Sequence, residues 1–482
     1  MGSSSNFVND VMLYNNLGAG SVYNKPESNA TQWSLMSYLA RINYTLKHKY
    51  LFSVNARVDG SSRFGTNNKY GFFPSASAGW RISEEAFMEP VKEVISNLKL
   101  RASYGFTGNT EIGVYESLAT LGTSNWILGN QLVSGFFPNK IPNPDLKWER
   151  TGQFDIGLDL GLFNNRLRIT TDYYKKKTTD LLYSVAVPAT SGYQTMLKNI
   201  GSIENQGYEL SIESDNLTGA FSWTTAFNIA FNRNKVLELG GEEYKEMAEG
   251  DGHLKTGSVR RLIVGEPIGV FYGYRFDGIF QNEEECKQQT SSASPIGVGL
   301  RRYKDLNGDG KVDAANDREI LGDANPKFFG GLTNTFAYKG FELNVFLQYS
   351  YGNKILNYNA MELENPTGGQ NAYADMVNRW TPENPSNIYP KATTNRALLV
   401  SDRFIEDGSY LKLKTLSLSY SFPKINLKHI QGLRLYVTGQ NLLTWTKYRG
   451  YDPEVSYRGA STLEAGEDFG GYPQSRTFMF GI

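Results

Sequence analysis

Hydrophobic and polar residues alternate strictly over long stretches of this chain. In Leu98–Thr107 every even position is apolar or aromatic, and every odd one is polar, charged or glycine. Phe154, Ile156, Leu158, Leu160 and Leu162 alternate with Gln153, Asp155, Gly157, Asp159 and Gly161. Phe221–Asn232 repeats the pattern, which returns in Phe341–Tyr351, Leu433–Val437 and Phe478–Ile482. A period of two marks a β-strand with two unlike faces. It persists here for about ten residues, twice the length of an ordinary globular strand and enough to cross a bilayer at a tilt. The second face carries Lys, Arg, Asp and Asn, too polar for a sandwich core but suited to a wet or plugged lumen. Aromatic residues gather toward strand ends at Tyr173 and Tyr174, Tyr349 and Tyr351, and Tyr420 and Phe422, as interfacial girdles require. The pattern predicts an all-β fold, a transmembrane antiparallel β-barrel rather than a soluble sandwich or propeller.

Link lengths test this independently, because outer-membrane barrels alternate short periplasmic turns with longer outer loops. Short links fall at 47–49, 164–165, around 215–219 and at 339–340; intermediate ones at 83–97 and 423–432. Long links cover about 109–146, 185–200, 283–326, 354–408 and 447–473. The alternation fails once, between Asn232 and Val270–Gln281. Leu254–Val264, followed by a Gly265–Gly269 turn, is the candidate for a missing inward strand. Including it gives about fifteen strands. The first (Trp33–Leu46) and the last both descend, whereas a single-chain bacterial barrel has an even number. An odd number is therefore expected upstream, and the chain reads as an incomplete barrel. In Tyr410–Phe422 the apolar phase slips near Thr415, which predicts either a β-bulge or an exchange of environments between the faces.

Composition narrows the alternatives. The 482 residues carry 49 Lys+Arg and 49 Asp+Glu, so no basic field points to nucleic acid. With 30 Tyr, 27 Phe and only 20% charged residues, the chain is too aromatic to be disordered. Mean hydropathy is −0.42, and no run of about 18 apolar residues offers a helical span. That average does not exclude a barrel, whose strands give alternate residues to the lumen. The segment Met1–Phe7 lacks the basic and apolar regions of a signal peptide, so the chain is expected to lack its natural beginning. Cys286 stands beside Glu283–Glu285, a poor setting for a thiolate. His48, His253 and His429 have no metal-ligand spacing, and no Gly-x-Ser-x-Gly elbow is present. No enzyme is expected. Asp155 and Asp159 share a strand face, but they read more simply as lumen charges than as a glycosidase pair.

Several segments carry a resemblance. They are Asp59-Gly60-Ser61-Ser62-Arg63-Phe64-Gly65, Gly71-Phe72-Phe73-Pro74-Ser75-Ala76, Trp80-Arg81-Ile82-Ser83-Glu84-Glu85 and Leu100–Gly105 with Thr107-Gly108-Asn109. Val437-Thr438-Gly439-Gln440-Asn441-Leu442, Tyr451-Asp452-Pro453-Glu454 and Tyr472–Thr477 complete the set. In this order they resemble the SusC/RagA family of TonB-dependent outer-membrane transporters, so residues 1–482 are read as the C-terminal part of such a barrel. The resemblance implies a multi-pass barrel of 22 strands in the bacterial outer membrane, in contact with lipid and lipopolysaccharide. It also implies a plug, TonB–ExbB–ExbD coupling through an N-terminal region, and a SusD-like lipoprotein lid. The substrate implied is a glycan or a peptide. A non-transporting surface glycan-binding protein or adhesin is the alternative.

Within the outer loop 283–326, the segment 305–317 opens like an EF-hand or dockerin loop. Asp305, Asn307 and Asp309 fall at positions 1, 3 and 5, Gly310 at 6, and the Lys311 carbonyl at 7. Asp313 follows, and Asp317 stands one place beyond the usual closing carboxylate. Hard oxygen donors at this spacing suit calcium. In the outer loops Trp126, Tyr358, Tyr373 and Trp380 are candidates for stacking on sugars or packing against a lid.

Overall fold

The computed structural model describes residues 3–8, 16–23, 30–247, 250, 253–254, 256–365, 371–393, 398–422, 432–454, 456–459 and 461–482. Their alternating segments form one antiparallel sheet of 13 strands. These are β1 (Leu35–Leu46), β2 (Tyr50–Ser61), β3 (Tyr70–Arg81), β4 (Ile95–Asn109), β5 (Glu149–Leu162), β6 (Leu167–Thr179) and β7 (Ser202–Leu217). β8 (Phe221–Glu238), β9 (Phe328–Tyr338), β10 (Phe341–Tyr351), β11 (Tyr410–Ser421), β12 (Arg434–Thr446) and β13 (Thr477–Gly481) follow. Each strand pairs with the next in chain order.

The register shows why the sheet has two unlike faces. One row across seven strands is Phe52, Ala78, Ala102, Ile156, Tyr173, Tyr208 and Phe231. The adjacent row is Ser53, Ser77, Ser103, Asp155, Tyr174, Gly207 and Asn232. Val54, Tyr104, Phe154 and Tyr208 stand exposed on the apolar face. A continuous apolar wall of this extent is stable against lipid and not against water.

The strand number corrects the expected fifteen. β8 pairs directly with β9 from Phe221 opposite Tyr338 to Ala230 opposite Phe329, so nothing inserts between them. Leu254–Val264 and Val270–Gln281 belong instead to one outer segment spanning 239–327. There Arg261–Ile263 pairs with Tyr244–Glu246, Val270–Tyr274 with Arg318–Asp323, and Phe276–Ile279 with Arg301–Tyr303. Consecutive residues Val270 and Phe271 are both buried, the pattern of a strand packed on both sides rather than of a barrel wall. Removing both segments removes the break in alternation, and the odd parity is kept. The phase slip in β11 is a β-bulge. Phe346 pairs with Thr415 and Leu347 with Leu413, leaving Lys414 as the extra residue. The turn expected at 423–432 lies outside the described residues except for Gly432.

The long links are folded structures rather than open loops. Leu121–Leu128 pairs with Gln131–Pro138, and Leu182–Ala186 with Thr195–Asn199. Among the described residues, three buried hydrophobic clusters lie mainly in this outer cap. The largest joins Phe271, Leu356, Tyr358, Met361, Val400 and Phe404. A barrel wall is one layer thick, so a chain that makes it can bury a core only where its loops fold on one another.

Candidate functional site: the inner wall and its cap

The polar face of β4–β6 carries a cross-strand charge network. Arg101 on β4 donates through Nε to Asp159 on β5 at 3.0 Å, and its Nη2 lies 3.0 Å from Asp172 on β6. Lys99 lies 3.8 Å from Asp159, while Ser103 and Gln153 donate to Asp155 at 3.2 and 2.7 Å. Gly157 stands opposite both Arg101 and Asp172. A Cβ there would sit 2.2 Å from Asp172 Oδ1 and 2.7 Å from Arg101 Nη2, so only glycine lets the guanidinium reach across. Asp155 and Asp159 are therefore wall residues held by neighbours, as expected for lumen charges. An open depression of about 440 Å³ lies on this wall, lined by Asn43, Ser53, Ser77, Lys99, Arg101 and Asp155 among others.

Above the wall, ion pairs lock the cap to the barrel rim. Lys412 on β11 is 2% exposed at its side chain and donates to Asp452 at 2.6 Å and Glu454 at 2.5 Å. Lys414, pushed out by the bulge, reaches the same Glu454 carboxylate at 3.2 Å and Gln474 at 3.2 Å. Tyr410 and Gln348 each donate to Glu454 Oε1 at 3.0 Å. Burial would raise the Glu454 carboxyl, but hydrogen bonds from Lys412 and Lys414 outweigh it and hold the group below its ordinary value. Higher in the cap, Glu364 accepts from Arg403 at 2.6 Å and Arg449 at 2.8 Å, and Arg260 donates to Glu467 at 2.9 Å. Segments around 260, 364, 403, 452 and 467 are thus held by charges that water reaches poorly, apart from the half-exposed Arg449.

Lys412 and its two carboxylates were missed by sequence reasoning. The available signal was the pairing of a phase break at a lysine with the Tyr451-Asp452-Pro453-Glu454 motif. Four other motifs also acquire physical reasons. Phe64 packs against Trp148 at 4.9 Å, and Phe73 meets the same ring edge-on at 5.3 Å. At the opposite rim Glu85 accepts from Tyr50 at 2.7 Å, Lys49 at 3.0 Å and Trp80 at 3.1 Å. These bonds hold its carboxyl down to about 2, with the Tyr50 hydrogen bond contributing most. Asn441, in the left-handed region at φ 54°, donates to the Ser475 carbonyl at 3.0 Å and so seats the last outer segment.

In the 305–317 loop the carboxylates are turned toward backbone amides. Asp305 accepts from the Gly308 and Gly310 N–H groups, both at 2.7 Å. Asn307 and Asp309 bond one another, and Asp309 accepts from the Lys311 N–H at 2.8 Å. Asp313 takes the Lys311 ammonium at 3.2 Å. Fully buried Asp317 closes the loop by accepting from Leu306 at 2.8 Å and Asp313 at 2.7 Å. Among the described residues no three acidic, histidine or cysteine side chains converge on one metal position. The loop aromatics divide. Trp126 is exposed on the outer hairpin, whereas Tyr358 is fully buried in the cap core. Trp380 donates to Gln281 at 3.0 Å and Tyr373 packs against the core cluster, so these two and Tyr358 serve as packing residues.

Comparison with known proteins agrees with this geometry. Residues 2–442 match the family described as "TonB dependent receptor-like, beta-barrel". TonB-dependent receptor P3 of Formosa agariphila is 41% identical over 99% of this chain and 48% of its own length. TonB-dependent receptor SusC of Bacteroides thetaiotaomicron is 32% identical over 94% of this chain and 44% of its own. The solved RagAB peptide transporter superposes with a TM-score of 0.81 at 27% identity, over 98% of this chain and 50% of that one. The chain thus spans about half the length of the curated relatives it matches.

Proposed function

Because the chain belongs to the TonB-dependent receptor-like β-barrel family and forms an outer-membrane barrel sheet, we propose that it serves nutrient import. In this reading it supplies the wall and outer cap of a SusC-like transporter, coupled to TonB and covered by a SusD-like lipoprotein. The observation that carries the reading is the pairing of an apolar lipid face with a charged inner wall beneath a cap locked by buried ion pairs. An adhesin needs an outer surface, but it needs neither the Arg101–Asp159–Asp172 network on the inner wall nor a rim that holds loops over it. The substrate class is an oligosaccharide or a peptide. The RagAB neighbour is a peptide transporter, and the name of the SusC relative specifies no substrate.

The test is uptake by the full-length protein in its own outer membrane, with labelled oligosaccharides and labelled peptides offered separately. Import that is lost when TonB is deleted supports the proposal. Surface binding without TonB-dependent import would establish the adhesin instead. Calcium in the 305–317 loop is a second, separate proposal, supported by the all-oxygen donor set and by Gly308 and Gly310 at positive φ. Calorimetry on the intact protein should show calcium uptake that Asp305→Ala abolishes. Equal uptake by that variant would remove the assignment.

A further inference from the structure

Two outer hairpins turn open strand edges toward one another. In the first, Leu121–Leu128 pairs with Gln131–Pro138 around Gly129 and Asn130, both left-handed. A two-residue turn of this kind makes Leu128 and Gln131 a hydrogen-bonded pair. Every second rung repeats that bonding, as far as the Asn139 N–H on the Thr120 carbonyl at 2.8 Å. Pro138 and Lys140 fall on the rungs between, so the Pro138 carbonyl and both backbone groups of Lys140 point out of the hairpin. In the second hairpin, Leu182–Ala186 pairs with Thr195–Asn199. Bonds from the Val187 N–H to Gln194 and from the Ile200 N–H to Leu181 fix the same alternation there. Thr195 and Leu197 therefore turn their N–H and C=O groups outward. The Leu197 carbonyl accepts from the Asn143 side chain at 2.8 Å, so this edge faces the segment that leaves the first hairpin. Among the described residues, none outside these hairpins takes the N–H of Lys140, Thr195 or Leu197.

Pro138, Lys140, Thr195 and Leu197 line one open cleft of about 460 Å³. At one end of the gap, asparagine amides stand where a strand would lie. Asn143 reaches Leu197, and Asn199 bonds the Lys147 N–H at 2.8 Å and its carbonyl at 2.7 Å. A strand fills about 160 Å³ per residue, from about 3.3 Å of rise, 4.8 Å of spacing and 10 Å of thickness, so the cleft takes about three residues. The free groups at 138 and 140, and at 195 and 197, span the same length. They recur at a period of two, which a polypeptide backbone can match on both sides and a sugar chain cannot. Glu116 and Lys140, the charged residues of the lining, are ion-paired with one another, so the cleft favours an uncharged stretch. We propose that an imported peptide binds here in extended form, as a strand added between the two hairpins that joins them into one sheet. The inference rests on the import reading above and selects peptide over oligosaccharide as the cargo.

The sample is the full-length protein purified from its own outer membrane, and the probe is a labelled, uncharged nonapeptide of Val, Thr and Ser. The peptide should bind and should protect the Lys140, Thr195 and Leu197 amides from hydrogen exchange. The same peptide N-methylated on alternate residues should not. Thr195→Pro removes an N–H that faces the cleft, whereas Ala186→Pro removes the N–H on the same rung that faces the opposite edge. Neither N–H belongs to the hairpin ladder, so proline is tolerated at both. The first variant should bind the peptide about tenfold more weakly, for the loss of one backbone hydrogen bond, and the second should match the wild type. Equal binding by the two variants, or by the N-methylated peptide, would overturn the proposal. So would amides already protected before peptide is added, which would mean that a strand of the protein itself or of its lipoprotein partner fills the cleft. Binding is read without TonB, so the two readings fail separately. Peptide held in the cleft of a protein that imports nothing would fault the import reading, and oligosaccharide import with no protection of these amides would fault the cleft.

Discussion

Replacing Lys412 by methionine tests whether ion pairs hold the cap to the rim. The substitution keeps most of the apolar stem, one atom shorter, and removes an ammonium that is 2% exposed and lies 2.6 Å from Asp452 and 2.5 Å from Glu454. Breaking a buried pair from one side costs about 3–5 kcal/mol, because the remaining charge stays desolvated. Two features place this case near the lower end. Lys414 still reaches Glu454 at 3.2 Å, and Tyr410 and Gln348 still donate to its other oxygen. A loss of about 3 kcal/mol corresponds to about a hundredfold in an opening equilibrium. Hydrogen exchange of the intact protein reads this directly at the Glu454 amide, which donates to Asp452 at 2.9 Å in the closed loop. Its exchange should accelerate by about two orders of magnitude in Lys412→Met, while amides in the middle of β9 and β10 remain protected. Adding Asp452→Asn should recover part of the loss, since the second substitution removes one of the charges left unpaired. Unchanged exchange at Glu454 in the single variant would refute the claim that Lys412 latches the loop.

Three further outcomes follow from named contacts. The Glu85 carboxyl sits at about 2, below its ordinary value of 4.5, so its contribution to the inner rim is complete above pH 4.5 and is lost as pH falls toward 2. Hydrogen exchange around 82–94 should show that loss in the wild type and a flat profile in Glu85→Gln; equal acid sensitivity in both would exclude Glu85 as the cause. Gly65→Ala would bring a Cβ within 2.1 Å of the Pro144 carbonyl, whereas one at Gly432 meets nothing within 4 Å. The first should destabilise the Phe64–Trp148 cluster by about 1–3 kcal/mol, read as thermal loss of near-ultraviolet dichroism, and the second should not. Gly157→Ala should separate Arg101 from Asp172 while leaving Arg101 on Asp159. A crystal structure that retained both contacts would show that the wall yields at Gly157.

The barrel was legible in the sequence because its strands meet two solvents at once. A residue such as Ile156 faces lipid and its neighbour Asp155 faces the lumen, so every step along the strand records the environment. The cap had no such code. Val270–Gln281 is apolar enough to pass for a wall strand, yet Val270 and Phe271 are both buried, which alternation cannot express. Its false appearance as a strand then required a second false strand at Leu254–Val264 to preserve the direction of travel. Counting parity could not detect the error, because two mistaken strands cancel. What could have detected it was chemistry on the supposed lipid face. In Leu254–Val264 that face would be Leu254, Thr256, Ser258, Arg260, Leu262 and Val264, or else its complement with Gly257, Val259, Arg261 and Ile263. Either choice turns an arginine toward lipid, at about 2–4 kcal/mol near the midplane. The structure buries Arg260 against Glu467 and sets Arg261 on Glu246 instead. The candidate site divides along the same line. Asp155 and Asp159 lie on the coded wall and could be placed from spacing alone. Lys412 owes its role to Asp452 and Glu454, some forty residues away in a loop that no periodicity positions, and only the folded cap brings them together.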